Sequence, residues 1–206
     1  MMRIRFAVLF CLVMALTILR AATVPTLAAS TPAPARNDID GHEKGEHATF
    51  TIDVAMDGRT WRMNDGTNPF YPLFTGQLMR GNTFIVSGRI YGGGTLLDGG
   101  DFGGAHNPSG PELGGAIGTW VCRGTFNLDI GEIAAGGFPH VTSTQVFTFD
   151  RGGVLVTEGP EGGATVLRAV IGGAGTFNEV TGDVVEKPLG VNTSNLFNVR
   201  FQFHLE

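Results

Sequence analysis

Cysteine is almost missing from this sequence, with two residues in 206. One of them, Cys11, lies in an apolar run near the start, so a chain shortened there would keep only Cys122. No internal disulfide is then available in an oxidising compartment, and stability has to come from a packed core. Charge is also sparse at 16%, and basic residues are the scarcer sign, 14 against 19 acidic. Without Arg3, Arg5 and Arg20 the basic count falls to 11, a net charge of about −8. That excludes the basic footprint that nucleic acids and anionic membranes require. No apolar run is long enough to span a bilayer comfortably, and no convincing amphipathic helix is present.

What the sequence has in excess is glycine, 32 residues, and phenylalanine, 15. The start, Met1 to Arg5, is basic, Phe6 to Leu19 is apolar, and small residues follow to Ser30. These are the three regions of a secretory signal peptide, with cleavage expected after Ala28 or Ala29. The expected product is secreted or periplasmic, with no stable membrane anchor after cleavage. Residues 30–47, Pro/Ala-rich and then charged, read as a flexible arm, and residues 48–206 as one domain.

That domain reads as all-β. Ala48 to Asp57 alternates Phe50, Ile52, Val54 and Met56 with Thr49, Thr51, Asp53 and Ala55. Further strands are expected at Thr83–Tyr91, Gly118–Phe126, Thr142–Phe149, Val154–Gly159, Thr165–Gly173, Val180–Lys187 and Leu196–Leu205, with Asp150–Gly153 turning a hairpin. About eight short strands with glycine turns suggest a sandwich or a barrel, and closure into a barrel removes exposed edges. The glycine-rich loop 92–118 is too long for a plain hairpin, and loops of that length are usually functional or disordered.

The stretch Ala169–Val184 has the glycines of a nucleotide loop but not their spacing. Gly173 and Gly175 begin G-x-G-x-x-G, yet Asn178 stands where the third glycine belongs, and a strand follows instead of a helix. No Gly-Lys-Ser/Thr occurs either, so no nucleotide or other cofactor is implied. Gly172, Gly173, Gly175 and Phe177 instead read as a turn between two strands, with Phe177 packed on the core.

That turn carries a resemblance. Arg168–Glu206 resembles the closing half of the allene oxide cyclase and dirigent proteins, where Gly-Gly-x-Gly-x-Phe precedes Gly-x-Val and an aromatic-rich final strand. The similarity implies a small antiparallel barrel of about eight strands with an apolar cavity, and a homo-oligomer, dimer or trimer. It implies a small hydrophobic molecule as partner. It implies for Asp53 the place of the first-strand acid, as a carboxylate whose pKa burial could raise; its usual Asn partner is replaced by Ala55, and the face it takes is open.

Cys122 shares a face with Trp120 and Phe126, and all three are expected at a cavity wall, Cys122 as a candidate catalytic thiol or an inert core residue. Arg168 and Arg200 are placed on the solvated exterior, because long charged side chains seldom face a core unpaired. His42–His47 misses both zinc motifs by one residue, so no metal is assigned. Asn192–Ser194 fits a glycosylation acceptor but reads as turn chemistry.

Three functions follow. The barrel binds or sterically orients a small hydrophobic molecule; or it is an isomerase, an intramolecular cyclase; or it is a structural barrel filled by side chains. A buried carboxylate inside a cavity favours the second, and a cavity free of large side chains counts against the third.

Overall fold

The computed structural model describes residues 48–64, 80–98 and 111–206; the expected signal peptide, the arm, the His42–His47 stretch and the middle of the glycine-rich loop lie outside them. Among the described residues nine strands form one antiparallel sheet: β1 (Ala48–Met56), β2 (Arg62–Met63), β3 (Thr83–Gly92), β4 (Gly118–Phe126), β5 (Val141–Phe149), β6 (Val154–Glu161), β7 (Val166–Ala174), β8 (Gly182–Val191) and β9 (Phe197–Leu205). From β3 to β9 each strand pairs with the next, and β1 pairs with both β9 and β3. Eight strands therefore close into a barrel, with β2 extending the edge of β3 where β1 has ended. Closure leaves none of the eight main strands with a free edge along its whole length.

Alternation decides what is inside. Ile52, Val54 and Met56 of β1 and Val199, Phe201, Phe203 and Leu205 of β9 join one core with residues from every other strand. One end is plugged by phenylalanines: Phe50 stacks on Phe203 at 4.9 Å, and Phe147 meets Phe201 and Phe203 edge-on at 5.0 and 5.3 Å. Such pairs add about 0.5–1.5 kcal/mol each beyond area burial. At the other end the Trp61 ring stacks on Phe84 at 4.2 Å, and the packing is looser around it.

The turn after β7 is built as its glycines suggest. Gly175 sits at φ +67°, a left-handed conformation that favours glycine. A Cβ on Gly173 would run into the carbonyl oxygens of Phe177 and Val154, and Phe177 itself is buried. Gly172 lies beside a register shift in the β6–β7 ladder rather than in the turn proper.

One helix was not expected. α1 (Ile130–Ala134) is a single turn in which Glu132 accepts a hydrogen bond from the Asp129 N–H at 2.8 Å. Ile133, its buried residue, reaches the core at the looser end. Five residues are too few for a 3.6-residue period to show, although Asp-x-x-Glu is a recognisable start signal.

Candidate functional site

The looser end holds a cavity of about 90 Å³. A single water needs about 10–15 Å³, so there is room for more than one. Trp61, Phe84, Phe126, Ile133, Leu196 and Phe197 supply its apolar wall. Trp120, Cys122, His140, Glu161 and Glu186, which carry polar groups, complete its lining.

The two carboxyl groups belong to a network inside the barrel. Gln145 on β5 donates through Nε2 to Glu161 Oε1 at 2.8 Å and to Glu186 Oε2 at 3.0 Å. Ser143 Oγ donates to the same Glu161 oxygen, and Cys122 Sγ reaches it at 3.4 Å. Arg168 on β7 donates from Nη2 to the Ser143 carbonyl and hydroxyl oxygens, both at 2.9 Å. Its Nη1 serves the Gly159 and Pro160 carbonyls at 3.2 and 3.0 Å and lies 3.4 Å from Glu161. Its Nε lies 3.5 Å from Glu186 Oε2, without hydrogen-bond geometry.

A buried acid and a half-buried one facing a single guanidinium cannot both ionise cheaply. Burial first, and then the charge of Glu161, push Glu186 up from 4.5 to about 8, against the pull of Arg168 and Gln145. Glu186 is therefore a neutral acid at pH 7. Burial and the Glu161 charge also push the Cys122 thiol well above its usual range, so it stays protonated. Burial lowers His140 below 6.5. Trp120 Nε1, His140 Nδ1, Gln145 Oε1 and Thr157 Oγ1 are buried without a hydrogen-bond partner among the described residues. Buried polar atoms are rarely left so, and Trp120 and His140 line the cavity.

No protein-family model and no curated protein matches the chain. Solved structures do match. The pterocarpan synthase dirigent protein GePTS1 is 12% identical, with a TM-score of 0.54 over 87% of this chain and 98% of that one. The pterocarpan synthase dirigent protein PsPTS1, also 12% identical with a TM-score of 0.54, covers 80% of this chain and 97% of its own. The fold is a dirigent-like barrel. A pyocyanin demethylase aligns over 77% of this chain and all of its own at 17% identity and a TM-score of 0.47.

In this dirigent-like barrel Trp120, Cys122 and Phe126 all line the cavity. Asp53 does not. It projects from the outer face of β1, yet it is fully buried, because the segment after β3 folds over it. Leu96 N–H donates to Asp53 Oδ2 at 2.8 Å, and Arg200 grips both oxygens at 2.7 and 3.1 Å. Beside it Ala55, Tyr91, Leu96 and Leu189 form a second small core. The described parts of the glycine-rich loop pack here: Tyr91 donates to the Leu113 carbonyl at 2.9 Å, and Ala116 leans on that core.

Arg200 is outside the barrel, as expected. Arg168 corrects the expectation: its side chain is fully buried in the interior, because two glutamates and three backbone carbonyls there satisfy the fork that a core normally cannot. Glu161, Glu186, Ser143, Gln145 and His140 were not singled out from the sequence. The available signal was parity. Arg168 lies between Val166 and Val170 on one face of β7, and Glu186 shares a face with Val184. Asn192 is buried and its Nδ2 donates to the Met56 carbonyl at 2.8 Å, so it caps a turn and offers no amide to a glycan. Among the described residues no group of three or more His, Cys, Asp or Glu could hold a metal ion.

Proposed function

We propose that the barrel binds a small, largely apolar molecule in its interior and orients it against the Glu161–Glu186 pair. One observation carries this reading: an apolar cavity ends on the buried Glu186 carboxyl, whose protonated form burial and the Glu161 charge favour. Apolar walls with a few convergent polar groups are the usual make-up of a small-molecule site. Holding a flexible molecule in one conformation is itself a large rate effect when that molecule is reactive. Export by residues 1–29, release outside the cytoplasm and assembly into a homo-oligomer accompany this reading.

A second reading has its own support. An acid with a pKa of about 8 lies close to the working pH, where a group gives and recovers a proton most effectively. Glu186 lending a proton to a bound oxygen, and taking it back, is the chemistry of an isomerase or intramolecular cyclase. Such a step is redox-neutral and needs no cofactor. The cavity and its unpartnered polar atoms count against a barrel filled only by side chains.

Native mass spectrometry of the mature protein from its own host tests the first reading. A stoichiometric small apolar molecule, released on mild denaturation, is the expected result. A protein that flies empty, and stays empty when offered fatty acids and phenolics, makes the filled structural barrel the better account. With a ligand in hand, Glu186→Gln separates the two readings: binding retained with conversion lost identifies the isomerase.

A further inference from the structure

We propose that the molecule taken by this cavity is uncharged and carries a carbonyl-type oxygen, received by the Trp120 indole N–H and the Glu186 carboxyl. The inference rests on the ligand-binding reading above and specifies what is bound.

It follows from which polar atoms in the cavity are already used. The Trp61 indole N–H donates to Met63 Sδ at 3.4 Å. The Cys122 S–H is directed to Glu161. Glu161 Oε1 accepts from Ser143, Gln145 and Cys122 and faces Arg168 as well. The Trp120 N–H, by contrast, is fully buried with no acceptor among the described residues. Indole nitrogen is a donor only, so what it lacks is an acceptor atom. Glu186 Oε2 already receives Gln145 Nε2 and faces Arg168 Nε. A proton on Glu186 therefore belongs on Oε1, which makes this second wall group a donor too. His140 Nδ1 takes either role according to its tautomer and does not discriminate.

Charge narrows the class further. An anionic head group would meet the Glu161 charge and find no available cation, because the Arg168 side chain is 0% exposed, its Nη groups donate to Ser143, Gly159, Pro160 and Glu161, and its Nε lies against Glu186. A cationic head group would face the positive end of the Trp120 N–H. A hydrocarbon would leave that N–H buried and unpaired. A neutral carbonyl oxygen, with two lone pairs for two donors, meets every condition.

Four probes on one ring separate the possibilities: acetophenone, ethylbenzene, benzoate and benzylamine, titrated into the mature protein by calorimetry. Satisfying a buried donor is worth about 1–3 kcal/mol, so acetophenone should bind about 5- to 150-fold tighter than ethylbenzene. Trp120→Phe should shrink the ratio of acetophenone to ethylbenzene affinity, which discounts the change in cavity volume that both ligands meet. In the wild-type protein the Trp120 Hε1 resonance should move downfield with acetophenone relative to its position with ethylbenzene, whose ring current is the same, a readout that holds even where the variant fails to fold. Equal binding of ethylbenzene, tighter binding of benzoate or benzylamine, or an Hε1 resonance no further downfield than with ethylbenzene overturns the carbonyl assignment and leaves the binding reading standing. If none of the four binds, the carbonyl assignment falls, and the binding reading stands or falls by the native mass spectrometry described above.

Discussion

Replacing Glu186 with Gln probes the interior network at its most sensitive point. In the folded protein the proton on Glu186 is held up to about pH 8, against a usual value of 4.5. Between those values the folded state binds more protons than the unfolded one, so stability falls as pH rises. The contribution is full below pH 4.5 and gone above pH 8. At 1.36 kcal/mol per pH unit, the whole window amounts to ~5 kcal/mol. Gln keeps the shape and an oxygen for Gln145 but cannot ionise. Urea unfolding at pH 5, 7 and 9, followed by tryptophan fluorescence, measures both proteins. His140, lowered by burial, contributes with the opposite sign as pH passes 6.5, but it is common to both and cancels in the difference. Glu186→Gln should be close to wild type at pH 5 and more stable by several kcal/mol at pH 9. A difference that stays constant within about 1 kcal/mol from pH 5 to 9 refutes the assignment.

Other residues give shorter tests. Arg168→Met leaves the half-buried Glu161 and the buried Glu186 without their cation and should cost about 3–5 kcal/mol in chemical denaturation; Arg168→Lys should not restore it, because an ammonium cannot span the same oxygens. Asp53→Asn breaks the grip of Arg200 and should cost about 1–3 kcal/mol, while ligand occupancy by native mass spectrometry stays unchanged, since Asp53 lies outside the barrel. A drop in occupancy there would show that the outer wall shapes the cavity. Cys122 should resist iodoacetamide at pH 8 in the folded protein and react only after unfolding, because its thiol is buried and held protonated. Rapid native-state alkylation would reverse that account.

Much of the fold is legible along the chain because a strand repeats every two residues and glycine ends it. Gly118–Phe126 is read to the residue, and β1, β3, β5 and β9 to within one residue at an end. The turn Gly173–Phe177 is legible because a left-handed backbone and a close carbonyl approach both exclude a side chain. The single-turn helix escapes because five residues carry no measurable period.

The site is a different matter. In β7 both parities look apolar: Val166 and Val170 flank Arg168 on one side, and Leu167, Ala169 and Ile171 make the other. The barrel puts Arg168 inside and leaves Leu167 60% exposed. Nothing local chooses between these faces. What chooses is the arrival of Glu161 from β6, Glu186 from β8 and the Ser143 carbonyl from β5 within reach of one guanidinium. Likewise Asp53 has the parity of a solvent-facing residue, and only the segment ending in Leu96, folding back over β1, buries it. The sequence by itself determined strands and turns, because these depend on neighbours in the chain, while the closure that makes a barrel and not a sandwich comes from β1 pairing with the distant β9. Which charges lie inside, and the pKa that burial and a second carboxylate impose on Glu186, depend on neighbours brought together across the barrel, and only the tertiary structure decided them.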